Sequence, residues 1–465
     1  MPSRQDQLHS YQYSLQRVVA ALVTHDPDPH RSPLRRAGTT ALVSLVIAAL
    51  AVGGAAIHGL LTGHSNVEVR DESVVFLEKG SGARYVYLSA DRRLHPVLNY
   101  TSGLLIANAQ EPTVVSASRE RLATVELGDP LGIPDAPDSL PAGPDDLRTG
   151  AWSICSHAPE AAAEPKSTLL VGDRLTDGRI AAGPQPQALL VSDPTDRTFL
   201  VFGNRRFLIP AARATATLRA LGWSAQQPYP VAAAWINAVP LGPDLVAPAV
   251  PDMGADSVLD GWKVGQLLTD GKQWGVVLAD GLAPVTHVQA ALLQTGPDAY
   301  VPDDINNAFN TLAPSKTRLS DADIAGGLPA TVPELLQPRS RVCMTLPVDE
   351  RTGAGLRVDP TAPVGAPVRG GTIVPGGVRT DLVHVPRGKG AVVVAAASPN
   401  APAGAGTVSI VTDTGRRYPI AGRELLGKLG YGGSPLPRVP AQLVALLPQG
   451  PALDAATARE ARTSG

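Results

Sequence analysis

Residues 37–61 read AGTTALVSLVIAALAVGGAAIHGLL and contain no Asp, Glu, Lys or Arg. A run of about 25 uncharged residues is long enough to cross a hydrocarbon core of about 30 Å with some tilt. A core helix of a soluble domain is rarely apolar on every face over such a length. Charge sets the direction. Arg31, Arg35 and Arg36 precede the run; His64, Glu68, Arg70, Asp71 and Glu72 follow it. The positive-inside rule then leaves the N-terminus in the cytoplasm and exports the rest. The run is too long for an ordinary signal-peptide core, and no clear small-x-small cleavage site ends it, so an uncleaved anchor is expected. His58, near the outer end of the run, reads as a neutral interfacial residue.

The stub before the anchor has its own pattern. Leu8, Tyr11, Leu15, Val18, Val19, Leu22 and Val23 recur at three- and four-residue spacing, which is one apolar face of a helix. Asp26, Pro27, Asp28 and Pro29 stop it. A lone helix of this length is marginal in water, and its basic content is modest, so a protein partner is favoured over lipid headgroups.

Beyond the anchor the chain is rich in Gly and Pro (46 and 44) and poor in aromatics, a composition that favours short strands and turns over long soluble helices. A net charge of −2 argues against nucleic acid as a partner. The expected fold class is α+β: a single-pass N-terminal transmembrane helix followed by a β-rich extracytoplasmic body. One unit recurs four times: an apolar strand, a polar turn, a short strand ending at a proline, and a short helix. Pro96, Pro210, Pro284 and Pro419 mark the copies. Gly203-Asn204, Asp280-Gly281 and Thr414-Gly415 supply turns that admit positive φ; Ala90-Asp91 is a weaker signal. The proline cannot donate to a ladder and its fixed φ suits a helix start. The copies are unevenly spaced, which excludes a regular solenoid and suggests hairpin–helix units around a central β-rich body. Residues 167–175 and 390–397 read as buried strands of that body. GIPDAP at 132–137 and PGGVRT at 375–380 read as turns.

The expected organisation is therefore residues 1–36, cytoplasmic helix and basic linker; 37–61, transmembrane helix; 62–150, first repeat and turn-rich exit; 151–270, central body with the second repeat; 271–330, third repeat; 331–405, central body continued; and 406–465, fourth repeat and tail. Outside the membrane the two cysteines, Cys155 and Cys343, are free to form one disulfide. The alternative is two buried thiols that never meet, and the topology favours the bond.

No catalytic or metal-binding constellation stands out: there is no H-E-x-x-H, C-x-x-C pair or G-x-S-x-G. Gly422 to Lys428 has the G-x4-G-K spacing of a phosphate loop, but Leu429 stands where Ser or Thr should hold Mg²⁺. Leu425, Leu426 and Leu429 look like a packing face instead. Arg92-Arg93, Arg205-Arg206 and Arg416-Arg417 occupy matching turn positions in three copies. They read as solvated turn charges, with docking of a polyanionic wall polymer or a partner as the functional alternative.

Taken together these residues resemble the EccB family, a membrane subunit of type VII (ESX) secretion machinery. The resemblance is carried by Tyr11, Leu15, Arg17 and Leu22 with Pro33-Leu34-Arg35, LHPVLN at 94–99, GIPDAP at 132–137, and Trp152 with Cys155. RRFLIP at 205–210, AWINAVPLGPDL at 234–245, VVLADGLAPV at 276–285, VQAALL at 288–293 and LLPQGPALD at 446–454 extend it over essentially the whole chain. It implies one membrane helix, a β-rich periplasmic body with four repeats, and a Cys155–Cys343 disulfide. It also implies association with EccC-, EccD- and EccE-like subunits and a mycosin protease, and self-association of the exported domains. The function implied is a structural subunit scaffolding the inner-membrane channel. The alternatives are a membrane-tethered cell-wall-binding protein or an ATPase, as some family members are described. No cofactor is expected; ATP enters only through that family description.

Overall fold

The computed structural model describes residues 3–24, 33–62, 68–158, 164–181, 186–297, 299–319, 327–346, 355–372, 377–397, 401–402 and 404–461. Two compact units divide the chain, Met1–Glu68 and Val69–Gly465. The expected helix stop at 26–29, the start of the turn at 375–380 and the side chain of His58 lie outside the described residues.

The first unit holds helices α1 (Arg4–Thr24) and α2 (Pro33–Thr62). Ser3 and Asp6 cap α1 reciprocally: the Asp6 N–H donates to Ser3 Oγ and the Ser3 N–H to Asp6 Oδ2. Leu8, Tyr11, Leu15, Val18 and Leu22 are exposed, whereas Val19 is half-buried and Ala20 buried, so most of the apolar stripe of α1 stays uncovered among the described residues. The 30 residues of α2 rise about 45 Å. Gly38–Ala56 within it is long and apolar enough to cross a membrane.

In the second unit, β1 (Val74–Glu78), β2 (Arg84–Leu88), β3 (Arg93–Pro96), α3 (Tyr100–Ile106), β4 (Thr113–Ala117) and α4 (Arg119–Leu122) form the first sheet and its helices. A central sheet opens with β5 (Trp152–His157), β6 (Lys166–Leu170) and β7 (Arg179–Ile180). The chain then leaves it for a second sheet: β8 (Gln187–Ser192), β9 (Thr198–Phe202), β10 (Arg205–Ile209), α5 (Ala214–Ala220), β11 (Tyr229–Pro230) and α6 (Ala233–Ala238). A third follows: β12 (Leu267–Thr269), β13 (Trp274–Leu278), β14 (Gly281–Val285), α7 (His287–Leu293) and β15 (Asp303–Asp304). β16 (Glu334–Leu335) returns to β8, and β17 (Arg341–Leu346), β18 (Gly355–Val358), β19 (Ala366–Pro367) and β20 (Leu382–His384) complete the central sheet. The fourth sheet comprises β21 (Ala391–Ala396), β22 (Thr407–Val411), β23 (Arg417–Pro419), α8 (Leu425–Lys428) and β24 (Arg438–Pro440), followed by α9 (Ala441–Ala445) and α10 (Ala455–Ala458).

The four small sheets share one connectivity. Their orders are β3-β2-β1-β4, β10-β9-β8-β11, β14-β13-β12-β15 and β23-β22-β21-β24. In each, three strands run antiparallel, a helix follows the third, and a fourth strand lies parallel to the first. The hairpin and helix are only the middle of this arrangement. Two sequence boundaries are corrected accordingly. Residues 391–396 form the first strand of the fourth sheet, not part of the central body. Residues 267–269 likewise begin the third sheet. An all-apolar run such as Ala391–Ala396 signals a buried strand without saying which sheet buries it.

The central sheet has the order β19-β20-β6-β5-β17-β18-β7. Cys155 on β5 and Cys343 on β17 are directly opposite each other and joined by a disulfide. It closes a separation of 188 residues that contains the second and third sheets, a constraint of about 5 kcal/mol in the chain-entropy picture. Side chains alternate across a strand. Trp152 and Ile154 therefore face away from Cys155, into a core shared with Leu189 and Val191 of the second sheet and Val393 and Val411 of the fourth. A separate core joins the first sheet to the fourth through Val75, Leu105, Ile410 and Tyr431. A third joins Phe207 and Leu221 to Val288 and Leu292 of α7.

Candidate functional site: edge straps and the capped end of α3

The outermost strands β3, β10, β14 and β23 are each crossed by a later segment of chain. Leu94 donates to Glu126 O (2.9 Å) and accepts from Gly128 N (3.0 Å). Arg206 does the same with Pro240 O (2.9 Å) and Gly242 N (2.8 Å). Leu282 pairs with Ala313 O and Ser315 N (both 2.9 Å), and Arg417 with Pro448 O (3.0 Å) and Gly450 N (2.8 Å). Each of these straps satisfies an edge that would otherwise be open to pairing.

The straps explain three glycines. A Cβ on Gly128, Gly242 or Gly450 would run into the ring of His95, Phe207 or Tyr418, the residue following each clasped position. In the third sheet that residue is Ala283, and the strap carries Ser315 in place of glycine. A ring demands glycine, and a methyl releases the demand.

One arginine of each pair also serves a strap. Arg93 reaches Glu126 at 2.9 Å, Arg205 donates to Leu241 O at 3.0 Å, and Arg417 Nε donates to Leu447 O at 3.3 Å. Arg206 donates to Asn237 Oδ1 at 3.1 Å and lies over the Phe199 ring at 5.7 Å. Burial holds the Arg206 and Arg417 guanidinium groups below the usual arginine range. The reading of these pairs as solvated turn charges is therefore corrected for the arginines that hold carbonyls.

The four prolines lie at the same edge. Pro96 ends β3 opposite Tyr85, and Pro419 ends β23 opposite Ser409. Their carbonyls accept from strap residues Leu131 (2.9 Å) and Leu453 (2.7 Å). Pro284 sits one residue inside the end of β14, and Pro210 falls directly after β10. An outermost strand is where a missing N–H costs least.

The phosphate-loop spacing leads elsewhere. Residues 425–428 form a four-residue helix with Leu425, Leu426 and the following Leu429 buried. Lys428 Nζ donates to Ala107 O (2.5 Å) and Leu105 O (3.4 Å), and Arg459 donates to Ile106 O (3.0 Å). Two cations thus cap the unsatisfied last turn of α3 and bind the first sheet's helix to the fourth sheet. Burial lowers the Lys428 pKa, and neighbouring Arg459 adds to it. The open cleft beside it, about 610 Å³, is lined by Glu111 and Glu424 as well as Lys428. Two carboxylates make it a poor seat for a triphosphate. Among the described residues no group of three or more His, Cys, Asp or Glu is placed to hold a metal ion.

Sequence reasoning missed the straps. Their signal was present as Leu127-Gly128-Asp129-Pro130, Leu241-Gly242-Pro243-Asp244 and Gln449-Gly450-Pro451. Each recurs a similar distance after the proline at its sheet's edge, but its ring partner lies more than thirty residues upstream.

Comparison with known proteins places this architecture. The family model "Type VII secretion system ESX-1, transport TM domain B", EccB, matches residues 1–464. The ESX-3 secretion system ATPase EccB3 of Mycolicibacterium smegmatis is 29% identical over 493 residues, spanning 98% of this chain and 90% of that protein. The ESX-5 secretion system ATPase EccB5 of Mycobacterium marinum is 28% identical over 492 residues, spanning 98% and 93%. An EccB3 dimer from the ESX-3 core complex superposes with a TM-score of 0.61 at 27% identity, over 83% of this chain and 100% of that one. A chain of an intact ESX-5 inner membrane complex superposes with a TM-score of 0.68 over 100% and 96%; at 23% identity that likeness concerns the fold. The chain belongs to the EccB family of type VII (ESX) secretion systems.

Proposed function

We propose that this chain is a structural membrane subunit of a type VII secretion complex and scaffolds the inner-membrane channel through its exported body. The family match over residues 1–464 carries the reading. The polar side chains support it: Lys428 is committed to the carbonyl end of α3, and Arg205 and Arg417 to carbonyls of the edge straps. In this reading residues 37–61 anchor the chain, residues 1–36 stay in the cytoplasm, and the body from residue 62 is periplasmic. The four small sheets are repeats of one strapped unit, and their shared order and the glycine–ring rule support that relationship. The partners are EccC-, EccD- and EccE-like subunits, a mycosin protease and other copies of the body. The exposed stripe of α1 provides a surface for a cytoplasmic partner. No cofactor belongs to this reading. Protease added outside intact inner-membrane spheroplasts should digest the body and spare the stub. Capture on a tagged chain should bring down a motor, a multi-pass subunit and a protease. Protection of the body, or capture of none of these, contradicts the reading.

The relatives' names include the word ATPase, and this second reading has a direct test. Purified chain carrying Lys428→Ala should show the same ATP turnover as the parent, at the level of a motor-free control.

A further inference from the structure

Three of the four small sheets end, beyond their first strand, in a parallel strand of two or three residues: β11, β15 and β24. The first sheet ends in β4, five residues reading Thr-Val-Val-Ser-Ala, paired in parallel with β1 along its whole length. Edge strands usually carry a lysine, an inward charge, a proline or a bulge that blocks further pairing. Residues 113–117 carry none of these.

The register shows which groups are open. Ala117 O accepts from Lys79 N at 2.9 Å, so Ala117 faces β1, and so do Val115 and Thr113 at the same parity. Val114 and Ser116 point their N–H and C=O groups off the sheet, and neither has a hydrogen-bond partner among the described residues.

We propose that β4 is a self-pairing edge, at which two copies of this chain join antiparallel about a two-fold axis through Val115. This rests on the scaffold reading above and names one of its contacts. The choice of occupant follows from the strand. With the axis at Val115, Val114 of each copy faces Ser116 of the other, and all four outward N–H groups meet outward carbonyls. An axis at Val114 would set Ser116 against Pro112, which has no N–H. An axis at Ser116 would set Val114 against Ser118, whose carbonyl already accepts from Arg121 and Leu122. The favoured register also brings Glu111 of one copy towards Arg119 of the other at both ends. Arg119 holds Glu78 through Nε at 2.7 Å while its side chain stays 77% exposed, so its terminal nitrogens remain available. A second copy therefore satisfies the edge in hydrogen bonding and in charge.

The test is cysteine cross-linking of the full chain in its native membrane. Cys155 and Cys343 are bonded to each other, so an introduced cysteine is the free thiol. Val115→Cys places two thiols directly across the axis, within disulfide reach, whereas Val114→Cys leaves its symmetry mate beyond about 7 Å. Mild oxidation should give a covalent dimer of Val115→Cys at roughly ten times the yield of Val114→Cys. Adding Glu111→Arg should lower that yield by roughly threefold at low salt. Equal yields at the two positions overturn the proposal, as does a Val115→Cys adduct with a different protein. So does the absence of a dimer while the chain still co-purifies with other secretion subunits; that result leaves the scaffold reading standing, whereas loss of co-purification refutes the scaffold reading itself.

Discussion

Gly242→Ala offers a sharp test of the strap geometry. The added methyl meets the ring of Phe207, which is fully buried and has no room to retreat. The strap is held in place by Gly242 N on Arg206 O and Leu245 N on Leu208 O, both 2.8 Å. Overpacking of this kind costs about 1–3 kcal/mol. The φ of Gly242 is not in the left-handed region, so alanine should also remove some unfolded-chain freedom, worth about 0.4–1 kcal/mol in the opposite sense. The net expectation is a loss of about 1–2 kcal/mol. Phe207→Ala alone should cost about 3–5 kcal/mol. In that background Gly242→Ala should turn neutral or slightly stabilising, because the obstructing ring is gone. Urea unfolding of the four members of this cycle, with the full chain in detergent, gives the coupling energy, expected at about 1–3 kcal/mol. Equal destabilisation by Gly242→Ala in both backgrounds would refute the ring explanation and place the cost in the backbone.

Other expectations follow from single contacts. Cys155→Ser with Cys343→Ser should lower stability by up to about 5 kcal/mol, read as a lower urea midpoint. After one proteolytic cut between residues 186 and 336, the parent's fragments should stay joined in denaturant without reductant and separate once reductant is added. Asp193 bears on pH. Burial pushes its carboxyl up, but hydrogen bonds from Thr195 and Arg197 outweigh burial and leave the pKa below the ordinary value. A depressed folded pKa gives stability that is present above the unfolded value, about 3.9, and lost as pH falls through the folded one. Asp193→Asn should therefore cost about 1–3 kcal/mol at pH 7 and progressively less below pH of about 4, measured by denaturation across pH. Lys428→Ala removes a cap from α3 and should loosen the joint of the first and fourth sheets. Amide exchange at residues 104–107 should quicken by roughly tenfold, equivalent to about 1.4 kcal/mol.

The legible parts of this fold were local. The hairpin turn at Gly203-Asn204 was readable because both residues adopt positive φ, 54° and 64°, which that dipeptide favours. The start of α7 was equally local: the Thr286 and Gln289 side chains each bond the other's backbone N–H, at 3.1 and 2.9 Å. The apolar helix over 37–61 was readable from its length and its lack of charge. The rest depended on distant partners. β11 and β15 are two residues each, too short to carry a period, and exist because a parallel strand awaits them. Ala391–Ala396 shows burial but not its sheet. Lys428 resembled part of a phosphate loop because spacing was visible, while its true partners, Leu105 O and Ala107 O, are over three hundred residues away.

The central claim is that the chain works as one subunit of a membrane assembly. The most direct measurement is the size and composition of the full chain, tagged at its native locus and extracted in mild detergent. The account predicts a large species containing several copies of the chain together with other type VII membrane subunits. A chain that runs only as a monomer, free of those subunits, would contradict it.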